Sequence, residues 1–117
     1  MAWVKKPIDR MEMMHLLGLV YARTAPGFGK VALEKLIRDE ARPTVRAKAR
    51  CVLLALTQSG LLLYCKEKKN REYRWNMKEW GPVSLLVADA MIAETEAQIR
   101  RKGRMCYASR KKHEDEG

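Results

Sequence analysis

The stretch TVRAKARCVLLALTQSGLL, residues 44–62, carries the clearest structural pattern in the chain. Arg46 and Arg50 are four residues apart, so in a helix both would lie on one face. The pattern predicts a helix that begins with Thr44 as its N-cap and ends at about Gln58. The other face of this helix would be one apolar stripe made of Val45, Ala49, Val52, Leu53 and Leu56.

After this helix the periodicity changes from helical to alternating. Gly60 stands where a helix end needs a left-handed residue. Leu61–Cys65 and Glu72–Asn76 have the composition of strands, and the polar segment Lys66–Arg71 connects them. The sequence therefore predicts a two-stranded hairpin with a basic tip.

Three further helices are predicted around this centre. Apolar residues recur every three or four positions from Ile8 to about Arg23 and from Lys30 to about Asp39. A last helix is expected to open at Gly81-Pro82 and to run to about Lys102. The fold class is therefore mainly α with a small β-hairpin, in one domain over residues 1–102, followed by a basic, disordered tail over residues 103–117.

The charge of the chain is large and unevenly distributed. The 117 residues carry a formal net charge of +10, and residues 42–78 hold ten basic against two acidic residues. Residues 79–99, in contrast, hold four acidic residues and no basic one. A field of this sign favours a polyanion as partner, and nucleic acid is the first candidate.

The cysteines and apolar segments indicate a cytoplasmic protein with no membrane partner. Cys51, Cys65 and Cys106 are odd in number and widely spaced, which argues against a disulfide framework. The most apolar stretch, residues 51–65, is too short to span a bilayer. No signal peptide is evident in residues 1–10.

We expect no metal, no cofactor and no enzymatic activity. His15 and His113 do not combine with the cysteines at the spacing of a metal site. The acidic residues show no paired arrangement for acid–base chemistry, and no serine has the context of a nucleophile. RNA is less favoured than duplex DNA, because no exposed aromatic pair on a sheet is evident for base stacking.

The order helix, helix, helix, hairpin, helix resembles that of winged helix-turn-helix DNA-binding proteins. The resemblance covers about residues 8–78 and adds a long C-terminal helix. It rests on basic residues in the first half of the 44–58 helix, leucines in its second half, and the step Gly60-Leu61-Leu62 into the hairpin. The break over residues 39–43 is longer than the tight turn of the simplest such proteins.

This resemblance implies that the third helix enters the DNA major groove and that the hairpin wing contacts the backbone or minor groove. Arginine suits guanine edges or phosphate, and a small residue between two arginines permits close approach. The alternative for each basic residue is a solvated surface position. The expected contact residues are Thr44, Arg46, Ala47, Lys48 and Arg50 on the helix, and Lys66, Lys68, Lys69 and Arg71 on the hairpin tip.

The N- and C-terminal helices carry more apolar residues than a core of this size requires. We therefore expect a homodimer that places two recognition helices in successive major grooves, as a nucleoid-associated transcriptional regulator would. Two alternatives stay open: a plasmid or phage replication or partition factor with the same fold, and a winged-helix module that binds another protein.

Overall fold

A computed structural model describes residues 6–24, 28–65 and 72–116, with side chains described as far as residue 102. The protein is mainly helical with a small antiparallel hairpin, which confirms the expected fold class at that level. Within the described residues the elements are helices α1 (Arg10–Arg23), α2 (Lys30–Glu40), α3 (Pro43–Arg46) and α4 (Ala49–Gln58), strands β1 (Leu62–Cys65) and β2 (Glu72–Trp75), and helices α5 (Met77–Trp80) and α6 (Leu85–Glu116).

Helix α1 begins at a side-chain cap. The Asp9 carboxylate accepts hydrogen bonds from the backbone N–H groups of Met11 (2.8 Å) and Glu12 (3.1 Å). These donors have no partner inside the helix, so an acidic N-cap satisfies them and sets the first turn. The helix therefore starts slightly later than Ile8, the predicted first residue. Its buried residues are Met13, Leu16, Leu17 and Val20.

The prediction of one continuous helix over residues 44–58 is wrong. The chain leaves helical geometry at Lys48 (φ −117°, ψ 28°), which separates α3 from α4. Arg42, and not Thr44, is the N-cap of α3. The break has a tertiary cause: α3 packs on α1 and buries Val45, whereas α4 packs on α2 and α6. One straight helix could not bury its apolar residues in both directions.

The hairpin matches the predicted strands to within one residue at each end. The strands are antiparallel, with Leu62 opposite Trp75 and Tyr64 opposite Tyr73. Gly60 has the expected left-handed conformation, with φ +84°. On the edge of β2 that does not pair with β1, the Tyr73 N–H donates to the Phe28 carbonyl oxygen (2.8 Å). This bond ties the segment before α2 to the hairpin.

Two details of the C-terminal region differ from the sequence prediction. The short helix α5 follows β2 and was not expected. The last helix begins at Leu85 rather than at Gly81-Pro82, and the Ser84 hydroxyl accepts a hydrogen bond from the Val87 N–H (3.3 Å).

Helix α6 also extends past the predicted end at Lys102. It continues to Glu116, where the sequence predicted a disordered tail. A single glycine costs a helix about 1 kcal/mol, so Gly103 alone does not end it. Residues 104–116 contain no proline that would do so.

The core lies where α1, α2, α4 and α6 meet the start of β1. Helix α6 packs across α4 and α1 through its first half. In the part of the chain that the structure describes, no helix is both long and apolar enough to cross a bilayer. The largest fully buried apolar side chains are Met13, Leu16, Leu17, Leu33, Ile37, Leu56, Leu61 and Met91.

Candidate nucleic-acid interface

Three exposed arginines follow each other along α3 and the start of α4. Arg42, Arg46 and Arg50 are spaced by four residues, and all three are exposed. We call them the arginine row. Among the residues that the structure describes, none of the three has an ion-pair partner. The row therefore offers three guanidinium groups to solvent or to a ligand.

Some arginines elsewhere on the surface have carboxylate partners: Arg10, Arg23, Arg38 and Arg74 do, whereas Arg100 and Arg101 have none among the described residues. Arg10 donates to Asp89 through two nitrogens, at 2.8 and 2.7 Å. Arg23 makes a two-nitrogen contact with Glu40. The hydrogen bond and the charge of Arg10 lower the pKa of Asp89, and Arg23 lowers the pKa of Glu40 in the same way.

The break between α3 and α4 changes the predicted contact residues only in part. Arg46 ends α3 and Arg50 lies in the first turn of α4, so they belong to two helices and not to one. Both remain exposed, as does Ala47 between them. Lys48 is half-buried, and its Nζ donates to the Lys6 carbonyl oxygen (3.0 Å).

Thr44 has a structural role that the sequence did not indicate. Its hydroxyl donates to the Glu12 carboxylate and accepts from the Asp9 N–H (3.0 Å). Its own N–H also donates to Glu12 (3.1 Å). Thr44 therefore anchors α3 to the start of α1, and its hydroxyl already has both a donor and an acceptor as partners. The expected contact between Thr44 and DNA stays a prediction, and it would compete with these hydrogen bonds of the hydroxyl.

A groove of about 610 Å³ lies between α2, α4 and β2, next to the arginine row. Arg50 belongs to both features. Among the described residues, Glu34 contributes the one carboxylate of the lining. Its carboxylate oxygens lie 4.0 Å from the Lys30 Nζ and 3.8 Å from a guanidinium nitrogen of Arg38. The groove is therefore cationic overall. Its lining residues are Lys30, Glu34, Ile37, Arg38, Ala49, Arg50, Leu53, Leu54, Thr57 and Tyr73.

An aromatic pair with one exposed ring lies on the hairpin, which the sequence did not indicate. The rings of Tyr64 and Tyr73 are 5.3 Å apart between centroids and tilted by 53°. Tyr64 is 38% exposed and Tyr73 is half-buried. We call this pair the tyrosine platform. Burial, with smaller effects of Tyr64 and Glu34, raises the pKa of Tyr73.

The predicted contacts on the hairpin tip lie outside the described residues: Lys66, Lys68, Lys69 and Arg71. Of the cysteines whose side chains are described, Cys51 is buried and Cys65 half-buried, and both are free thiols. Over the same described residues, no cluster of three or more histidine, cysteine or acidic side chains has the arrangement of a metal site.

Sequence reasoning missed Arg42 and Tyr64. Arg42 lies in the break before the predicted third helix, although its spacing of four from Arg46 is a usable signal. The sequence pattern places Tyr64 only in an apolar strand, and its partner across the hairpin depends on the register.

Comparison with known proteins found no relative of this chain. No family model, curated protein or solved structure matches this chain. The function proposed below is therefore inferred from the chain's own residues.

Proposed function

We propose that this protein binds double-stranded DNA through the arginine row, as a winged helix-turn-helix protein acting in transcriptional regulation. The observation that carries the proposal is the set of three exposed arginines at the α3–α4 break, beside a cationic groove. Arg10 and Arg23 are held by carboxylates, whereas the row is exposed without such partners in the described residues. Surface arginines without partners are the groups that bind phosphate or guanine edges.

The order of elements supports the winged-helix part of the proposal. Helix α2, the α3–α4 unit and the β1–β2 hairpin follow each other as the second helix, recognition helix and wing would. The bond from the Tyr73 N–H to the Phe28 carbonyl oxygen places the segment before α2 next to β2, on the edge that does not pair with β1. In this assignment Arg46, Ala47 and Arg50 approach the major groove. The hairpin tip would reach the neighbouring backbone.

The proposal is tested by fluorescence anisotropy with random duplex DNA over a range of salt concentrations. We expect binding that weakens steeply as salt rises, because each neutralised phosphate releases counterions. The double variant Arg46→Ala/Arg50→Ala should weaken binding by about 1–3 kcal/mol per arginine that contacts a base. Each arginine that contacts a phosphate should lower the salt slope by about 1.

A matched control separates a local contact from a loss of total charge. Lys78 is an exposed cation on α5, outside the row and the groove. Lys78→Ala should therefore leave affinity nearly unchanged, while the single variant Arg46→Ala reduces it. If both variants behave alike, or if the wild type does not bind duplex at low salt, the proposal is wrong.

A protein-interaction role is favoured by a different observation. Met11, Leu85 and Leu86 are exposed apolar residues at the beginnings of α1 and α6. Such residues can mark a contact with another chain. A partner protein that stays bound at high salt, where binding to DNA phosphates is weakened, would favour this role over DNA binding.

We also propose a homodimer, although fewer apolar residues of α1 are exposed than the sequence suggested. Most of the wide apolar arc of α1 is covered within the chain, since Met13, Leu16, Leu17 and Val20 belong to the core. The large exposed apolar residues that the described parts of α1 and α6 offer to a partner subunit are Met11, Tyr21, Leu85 and Leu86. A cytoplasmic, nucleoid-associated location stays a prediction that follows from DNA binding.

A further inference from the structure

Two concave surfaces meet at the tyrosine platform. Tyr73 lines the groove between α2 and α4. A second cavity of about 690 Å³ is lined by Gly29, Lys30, Val31, Ala32, Lys35, Tyr64 and Tyr73. Lys30 and Tyr73 line both cavities, so the two form one continuous surface. That surface begins at Arg50 in the arginine row and ends at Tyr64.

This surface combines aromatic rings with cations. Lys30 and Lys35 border the platform and are both exposed. Among the described residues no carboxylate lines the second cavity, and Val31 in its lining is 79% exposed. A flat apolar group with an attached anion satisfies both features. A nucleotide has this chemistry, with a base to stack and a phosphate to meet the lysines.

We propose that the tyrosine platform binds an unpaired nucleobase, with Lys30 and Lys35 holding its phosphate. The inference rests on the proposed function in one respect: the unpaired base would adjoin a duplex held by the arginine row, because Arg50 and Tyr73 line the same groove. The ligand class would then be duplex DNA with a single-stranded or locally opened segment.

The base must be unpaired for a physical reason. A base inside a duplex has both faces covered by its neighbours, so it has no free face for a side chain. The two rings are also tilted by 53°, so they do not form one flat surface for several bases. The exposed ring of Tyr64 is therefore the position for a single base, and Tyr73 supports that ring from the neighbouring strand.

The test compares a blunt duplex with the same duplex carrying a short oligo-thymidine overhang, and with the oligo-thymidine alone. Wild type should bind the overhang duplex about 5- to 150-fold more tightly than the blunt duplex, the range expected for stacking one base. Tyr64→Ala should remove this preference and leave blunt-duplex affinity unchanged. Tyr64→Trp should preserve it, because an aromatic ring remains.

Leu63→Ala is the matched control, since Leu63 is the neighbouring residue of the same strand and is 47% exposed. Its side chain points to the opposite face of the hairpin, so the overhang preference should persist in this variant. Equal wild-type affinity for blunt and overhang duplexes would overturn the inference, and so would a preference that survives in Tyr64→Ala.

The two proposals fail in different ways. If the arginine row does not bind DNA, blunt duplex will not bind at low salt, but oligo-thymidine will still bind and depend on Tyr64. If only the platform proposal is wrong, blunt duplex will bind and Tyr64→Ala will change nothing. An oligo-uridine probe that binds as well as oligo-thymidine would show that the platform accepts RNA as well as DNA.

Discussion

At the scale of single residues, Gly60 controls the passage from α4 into the hairpin. It has φ +84°, a conformation that side chains with a Cβ disfavour. Its carbonyl oxygen accepts a hydrogen bond from the Asn76 side chain (3.1 Å), and the Asn76 N–H donates to the Leu61 carbonyl oxygen (2.8 Å). The turn therefore holds both ends of the hairpin together.

Replacing Gly60 by alanine should lower the free energy of unfolding by about 1–2 kcal/mol, the cost of a left-handed alanine. Apart from its chain neighbours, no described atom lies within 4 Å of the added Cβ, so the cost comes from the local backbone conformation and not from tertiary packing. Urea unfolding followed by circular dichroism measures it.

Gly18→Ala is the control for this experiment. Gly18 lies in the interior of α1, and it too has no atom within 4 Å of an added Cβ. That substitution should stabilise the protein by about 0.5–1 kcal/mol, because alanine favours a helix interior. If the two substitutions shift stability in the same direction, the backbone conformation of Gly60 is not the cause.

At the scale of elements, the sequence predicted those helices and strands whose ranges depend on local pattern. Helix α2 and both strands match their predicted ranges closely, because apolar spacing and the glycine signal are local properties. The break at Lys48 depends on Thr44 and Val45 meeting α1, which no local window contains. Helix α5 depends on Asn76, whose side chain caps it by accepting from the Glu79 N–H (3.3 Å).

The candidate site likewise has some features that local sequence pattern predicts and others that only tertiary packing creates. Arg46 and Arg50 could be predicted as exposed from helical spacing alone. The groove and the tyrosine platform could not, because they arise where α2, α4 and the hairpin meet. Tyr64 faces Tyr73 only in the observed register, and a shift by one residue would move either ring to the other face of the hairpin.

The ion pair between Arg10 and Asp89 joins α1 to α6 and predicts a pH dependence. The folded-state pKa of Asp89 lies below its ordinary value of 3.8. The folded state therefore releases this proton more readily than the unfolded state. The ion pair stabilises the fold fully at pH values above the ordinary pKa of an aspartate. The stabilisation is lost as pH falls through the folded-state pKa.

Asp89→Asn should therefore be less stable than wild type at neutral pH, and the difference should vanish under strongly acidic conditions. Urea unfolding at both pH values measures it. Asp39→Asn is the control, because Asp39 is exposed and has no ion-pair partner among the described residues. A difference for Asp89→Asn that does not change with pH would exclude the ion pair as its source.

At the scale of the whole molecule, the core serves to hold one continuous cationic surface. Helices α1, α2, α4 and α6 share a single apolar cluster. On this scaffold the arginine row, the groove and the tyrosine platform follow each other, linked by Arg50 and Tyr73. The acidic residues of segment 79–99 lie outside both groove linings. In the proposed function, this surface is the region that a polyanion would contact.

A homodimer would repeat this surface, and its two arginine rows could meet successive major grooves about 34 Å apart.

We expect wild type at micromolar concentration to have twice the mass of one chain by light scattering. Leu86→Glu should give the single mass, because Leu86 is 82% exposed and a buried unpaired charge opposes association. Val31→Glu should stay dimeric, since Val31 is 79% exposed but lies on α2. A wild type with the mass of one chain would contradict the dimer, and each arginine row would then bind DNA independently.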